Sequence, residues 1–117
     1  MQTYRDLIAW QKSIVLVREI YSLTRRLPKE ETRGLISQMN RAAVSIPANI
    51  AEGYARKHRA EYIQFLRISF GSGAELETHL TIIKEVGMIE SVGTRDAENV
   101  LNEVMRLLNK LIASLQP

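Results

Sequence analysis

Apolar residues recur at steps of three and four along four successive blocks of this chain, and no stretch shows the two-residue alternation of a half-buried strand. In the first block one file reads Leu7, Trp10, Ile14, Val17, Tyr21, Thr24, and a second reads Ile8, Leu16, Ile20, Leu23, Leu27. The spacing predicts a helix from about Thr3 to Leu27, opened by a Thr3–Asp6 capping pair and stopped by Pro28. The second block, Lys29 to about Tyr54, carries Leu35, Met39, Ala42 and Ile46, flanked by Ile36, Ala43 and Ile50. Pro47 has no N–H for the carbonyl of Ala43, which predicts a kink and not a break, because helical spacing continues to Ile50 and Ala51. The third helix is expected from about Ala60 to Val86, with Gly71-Ser72-Gly73 inside it and Gly87 as its C′ residue. The fourth is expected from about Arg95 to Leu115, with Thr94 as N-cap and Asp96 in the first turn.

Four amphipathic helices with short connections predict an all-α chain, one domain over residues 1–117. The expected architecture is an antiparallel up-down-up-down four-helix bundle with its second helix kinked at Pro47. The stripes on the first and fourth helices are wider than a bundle helix needs, which asks for a subunit partner or a crowded core. No apolar run approaches the ~20 residues of a membrane span. The N-terminal residues lack the basic-then-apolar plan of a signal peptide. The chain has no cysteine, which removes disulfides, thiolate nucleophiles and Cys-based zinc sites. A cytoplasmic protein without membrane contact is the expectation.

The net charge of +3 is unevenly spread: residues 1–60 hold 11 Lys/Arg and 5 Asp/Glu, and residues 61–117 hold 5 and 8. The balance is +6 against −3. Either the two halves present complementary faces, within or between subunits, or the basic half meets nucleic acid.

Three groups of side chains are candidates for function. Gln38, Arg41, Ser45, Asn49 and Glu52 form one polar strip on the second helix. Ser and Asn are poor interior helix formers without a partner, so the strip reads as a structural hydrogen-bond network, with Arg41 paired to Glu75 or Glu52. A ligand site and plain surface are the alternatives. Glu52, Glu75, Glu77 and His79 invite comparison with di-metal bundles, but those need Glu-x-x-His. Here His79 follows Glu75 by four residues, and His58 sits in a basic loop. No catalytic residue, metal or cofactor is therefore expected, and neither a phosphate loop nor a nucleophile motif is present. Last, Arg56-Lys57-His58-Arg59 and the set Arg25, Arg26, Lys29, Arg33 are basic clusters that an antiparallel bundle places at opposite ends. Arg25, Arg26, Arg56, Lys57 and Arg59 are the candidate phosphate contacts, the alternative being simple solvation. No aromatic is interleaved with them, so binding to RNA or DNA would be phosphate-led and tolerant of sequence.

Several motifs carry a family resemblance. They are Tyr4-Arg5-Asp6-Leu7 with Trp10, Leu27-Pro28 followed by Glu30 or Glu31, and Gln38 with Arg41-Ala42-Ala43. Then come Ser45-Ile46-Pro47 and Asn49-Ile50-Ala51-Glu52-Gly53, and on the third helix Phe65-Leu66, Ser69, Gly71-Ser72 and Glu75-Leu76-Glu77. From about Tyr4 to Leu115 the chain resembles the four-helix bundle family first described from intervening sequences of bacterial 23S ribosomal RNA genes, the S23 family. The resemblance implies a homopentamer around a central channel and supplies no catalytic residues. The chain is also similar to the accessory variability determinant of diversity-generating retroelements, a pentameric bundle that binds nucleic acid and a reverse transcriptase. The implied function is that of a non-enzymatic homo-oligomer acting as a nucleic-acid-binding accessory factor. The alternative is a protein–protein scaffold without nucleic acid.

Overall fold

The computed structural model describes residues 3–117. Four α-helices make up most of it: α1 (Ile8–Thr24), α2 (Ser37–Ala55), α3 (Arg59–Glu85) and α4 (Arg95–Leu115). Short helical turns at Tyr4–Asp6, Lys29–Glu31 and Ser91–Thr94 join or precede them, and the described residues contain no strand. Each helix packs on two neighbours: α2 lies against α1 and α3, and α4 against α1 and α3. Along the α1–α4, α2–α3 and α3–α4 seams the contacts descend on one helix as they ascend on the other. Arg26 meets Gly93 and Lys12 meets Glu103. Ser45 meets Ser72 and Gly53 meets Tyr62. Lys84 meets Glu98 and Gly73 meets Met105. That is the order of antiparallel neighbours, in a molecule of 44 × 23 × 21 Å.

The expected apolar files supply the core, except that Ile14 and Tyr21 of the first file lie exposed. Leu16, Ile20, Ile46, Ile50, Leu76, Leu80, Leu101 and Leu108 are essentially inaccessible. Each such side chain contributes roughly 1.5–3 kcal/mol relative to exposure. The third and fourth helices begin and end within one residue of the sequence expectation. Gly87 does close α3: its φ is +76°, its N–H donates to the carbonyl of Lys84, and the Met88 N–H donates to Ile83. These paired bonds satisfy carbonyls that a helix end otherwise leaves open.

The first two helices start later than expected, and the first also ends earlier, at Thr24 and not at Leu27. Thr3 and Asp6 do form a reciprocal capping box, but it caps only the turn Tyr4–Asp6. Leu7 is extended at φ −74°, ψ 126°, and α1 starts at Ile8. The break lets Leu7 turn into the core while Ile8, expected in an apolar file, is 59% exposed. Likewise Lys29–Glu31 is a single tight turn, followed by an irregular turn Thr32–Ile36 in which Gly34 leaves helical geometry at φ −105°, ψ −110°. Glycine bears that departure at no side-chain cost, and the regular helix begins only at Ser37. Beyond it α2 continues through a buried Pro47 to Ala55. Thr94 precedes α4 as expected, yet its hydroxyl donates to the Ser91 carbonyl and to Glu98 instead of accepting from the helix N-terminus.

Candidate nucleic-acid interface and the polar strip

Only the middle of the α2 strip forms a network. Asn49 Nδ2 donates to the Ser45 carbonyl at 2.8 Å and to Ser45 Oγ at 2.9 Å. Ser45 Oγ in turn shares a hydrogen bond of 2.9 Å with Ser72 Oγ on α3. One turn away the fully buried Ser69 donates to the Ile46 carbonyl at 2.9 Å. Hydroxyls need small neighbours to reach across a helix seam, and the seam supplies them: a Cβ on Gly53 would stand 2.7 Å from the Cβ of Phe65.

The ends of the strip behave differently. Gln38 and Arg41 are exposed, and Arg41 reaches only Ser37, at 3.4 Å. The expected pairing of Arg41 with Glu52 or Glu75 is not formed. Glu52 accepts from Arg56 at 2.9 Å, and Glu75 bonds His79 at 3.1 Å. Both carboxylates thus take the partner one turn along their own helix, where residues four apart stand within about 6 Å at Cβ. Among the described residues, no group of three or more His, Asp or Glu converges in a way that would hold a metal.

Among the described residues two buried side-chain polar atoms have no partner, the Tyr62 hydroxyl and His79 Nδ1. Burial pushes the Tyr62 phenol up to about 12, and the nearby Tyr54 adds to the rise. Sequence reasoning did not single out Tyr62, Ser69 or Ser72 as polar contacts. Ser69 and Ser72, two small hydroxyls three apart in an apolar file, were the available signal.

The basic residues fall into engaged and free groups. Arg56 is engaged: it pairs with Glu52 at 2.9 Å and Glu61 at 3.5 Å, and lies 5.0 Å from the centre of the Phe65 ring. The Glu52 hydrogen bond, ahead of the carboxylate charges, raises its already high pKa. Lys57 sits in the left-handed region at φ 56°, which turns the chain from α2 into α3. Lys57 and Arg59 are exposed and, among the described residues, in no ion pair. They flank the start of α3, where His58 supplies no side-chain cap. At the far end of the molecule Arg25 is exposed at the close of α1, and Arg26 donates to the Gly93 carbonyl at 2.9 Å. The structure therefore brings together Arg56, Lys57 and Arg59 at one end and Arg25 and Arg26 at the other, without joining the two sets.

The same fold is found in a crystal structure of a protein with unknown function from the S23 ribosomal protein family of Bacteroides thetaiotaomicron. The TM-score is 0.82 at 26% identity, over 90% of this chain and 98% of that one. No curated protein matches the chain. No helix among the described residues is long and apolar enough to cross a membrane. Residues 5–110 match the family described as 23S rRNA-intervening sequence protein, a span that includes the α2 motif and the polar seam it forms with α3. With the sequence match and the bundle in agreement, the chain belongs to the 23S rRNA-intervening sequence protein family.

Proposed function

We propose that the protein is a non-enzymatic, cytoplasmic homo-oligomer, a pentamer as the family resemblance implies, that holds RNA or DNA by its phosphates. One observation carries the reading. Lys57 and Arg59 are exposed cations without a carboxylate partner, set beside the uncapped start of a 27-residue helix. The first-turn peptide N–H groups, uncapped by His58, and the positive end of the helix dipole add to their attraction for phosphate, against the one carboxylate of that turn, Glu61. Arg25 and Arg26 form a second, smaller basic site at the other end. A ring repeats each set once per subunit and gathers charges that are sparse on one copy. A reverse transcriptase or another protein would then be a partner brought to the bound nucleic acid.

Fluorescence anisotropy with generic RNA and DNA tests this over a range of salt. Binding is expected at low salt and weakens as salt rises. Replacing Lys57 and Arg59 by alanine reduces the log–log slope by about 2, roughly one per cation. Absence of binding at low salt would overturn the reading. The engagement of Arg56 by Glu52 and Glu61 favours a second reading, a protein–protein scaffold. In that case the Lys57/Arg59 variant leaves nucleic-acid affinity unchanged.

A further inference from the structure

Two outward files on diagonally placed helices make, among the described residues, no side-chain hydrogen bond or ion pair to another of the four helices. On α1, Gln11, Ile14, Arg18, Tyr21 and Arg25 follow each other at steps of three and four, and all are exposed. On α3, Ile68, Gly71, Glu75, Thr78, Ile82 and Glu85 do the same. Both files set large apolar side chains in water: Ile14 is 37% exposed, Tyr21 38% and Ile68 45%. The α1 file carries two arginines and no acid, and the α3 file two glutamates and no base. Among the described residues Arg18 and Arg25 are in no ion pair, and Glu75 bonds only His79 of its own helix.

Gly71 sharpens the argument. A glycine inside a helix costs about 1 kcal/mol relative to alanine. Gly53 and Gly73 repay that within the subunit, by the approach of Phe65 and of Met105. A Cβ on Gly71 would meet nothing within 4 Å. Nothing inside the subunit accounts for the missing side chain.

We infer that the α1 file of one copy packs on the α3 file of the next, with Arg18 crossing Gly71 to reach Glu75. The inference rests on the homo-oligomer reading above and names its contact. A second copy is the occupant because each file supplies the charge the other lacks, and because two different faces of one chain meeting head to tail is the kind of contact from which rings are built. Heights agree as well. Thr24 meets Asn40, and Ser45 meets Ser72. Five residues of α2 separate these two contacts, so Glu19, five residues before Thr24, is level with Ser72. Since α1 and α3 both run against α2, a neighbour related by an axis along the bundle sets Ile14 opposite Ile68 and Arg18 opposite Gly71. Glu75 stands one turn above, within reach of a long guanidinium side chain.

Sedimentation velocity or native mass measurement on the full chain tests the contact, with Arg18→Glu, Glu75→Arg, the double charge swap and Gly71→Leu. All sites are exposed in the subunit, and leucine is a better helix former than glycine, so helical content and thermal stability serve as folding controls. Each single charge reversal is expected to raise the concentration needed for assembly about tenfold or more, since it sets like charges against each other. The double swap restores assembly, and Gly71→Leu blocks it while the subunit stays folded. A wild-type chain of monomer mass at micromolar concentration overturns the oligomer reading itself. An assembled wild type whose variants assemble equally well overturns this contact and leaves the oligomer reading standing.

Discussion

The α2–α3 seam and the α1–α4 seam hold the same bundle together by different means. Between α2 and α3 the contacts are directional and close: Ser69 to the Ile46 carbonyl, Ser45 to Ser72, and Gly53 against Phe65 and Tyr62. Between α1 and α4 the packing is largely apolar and the polar contacts are exposed, with Arg26 donating to the Gly93 carbonyl at 2.9 Å near one end. Among the described residues the one ion pair across this seam, Lys12–Glu103, spans 3.7 Å with both side chains more than 40% exposed. Near the start of α1, Ile8 stands with Leu107 and Leu111 beside an open groove of about 400 Å³. Burial of broad apolar stripes tolerates small shifts, whereas hydrogen bonds and a glycine contact fix the position of one helix on the other. The register of the bundle is therefore set on the α2–α3 side.

The sharpest way to break this comparison is Gly53→Ala. Its methyl would meet the Cβ of Phe65 at 2.7 Å, and neither the backbone nor a Cβ yields easily. The expected cost is about 1–3 kcal/mol, read as a lower urea midpoint. An unchanged midpoint would show that the seam has slack and remove its claim to set the register.

Tyr62→Phe acts on the same seam in the opposite direction. The Tyr62 hydroxyl is buried without a partner, so its removal should stabilise by about 1 kcal/mol at neutral pH. It should also change the alkaline limb. The folded-state pKa of about 12 lies above the ordinary value of 10.0. The folded protein thus keeps a proton that the unfolded chain loses first. That contribution to stability is whole below pH 10 and is lost as pH rises through about 12. Urea midpoints of both proteins between pH 8 and 12 check the sign: the wild type should fall more steeply. Parallel curves would mean that the phenol is not shielded.

On the α1–α4 side the expected effect is the smallest. Lys12→Gln should cost no more than about 0.5 kcal/mol, and less in high salt, because an exposed pair is screened. A loss comparable to that of Gly53→Ala would erase the distinction between the seams.

The stripes of the core were legible because burial repeats with the helix, and Gly87 was legible because it acts through its own backbone, whereas α1 ends at Thr24, short of the stop expected from Pro28. Partners were harder to read. Arg41 looked as well placed for Glu52 or Glu75 as any cation on the strip, yet Arg56 and His79 take those carboxylates locally. The polar network was anticipated on α2, but its second half, Ser69 and Ser72, belongs to α3 and depends on how the two helices are set against each other. The capping box was found where expected, but how far the helix beyond it would run was not, since the break at Leu7 follows from burying that side chain.

The chain by itself determined four helices, the faces they bury, the family and the uneven charge of the two halves. Those properties come from periodicity, backbone preference and composition, each of which acts within a few residues. Only the tertiary structure decided which glycine has a neighbour. Gly53, Gly71 and Gly73 are alike as helix-interior glycines, but one is filled by Phe65, one by Met105, and Gly71 faces open space. Close packing is a matter of ångströms between segments distant in sequence, and such distances exist only after the helices have docked.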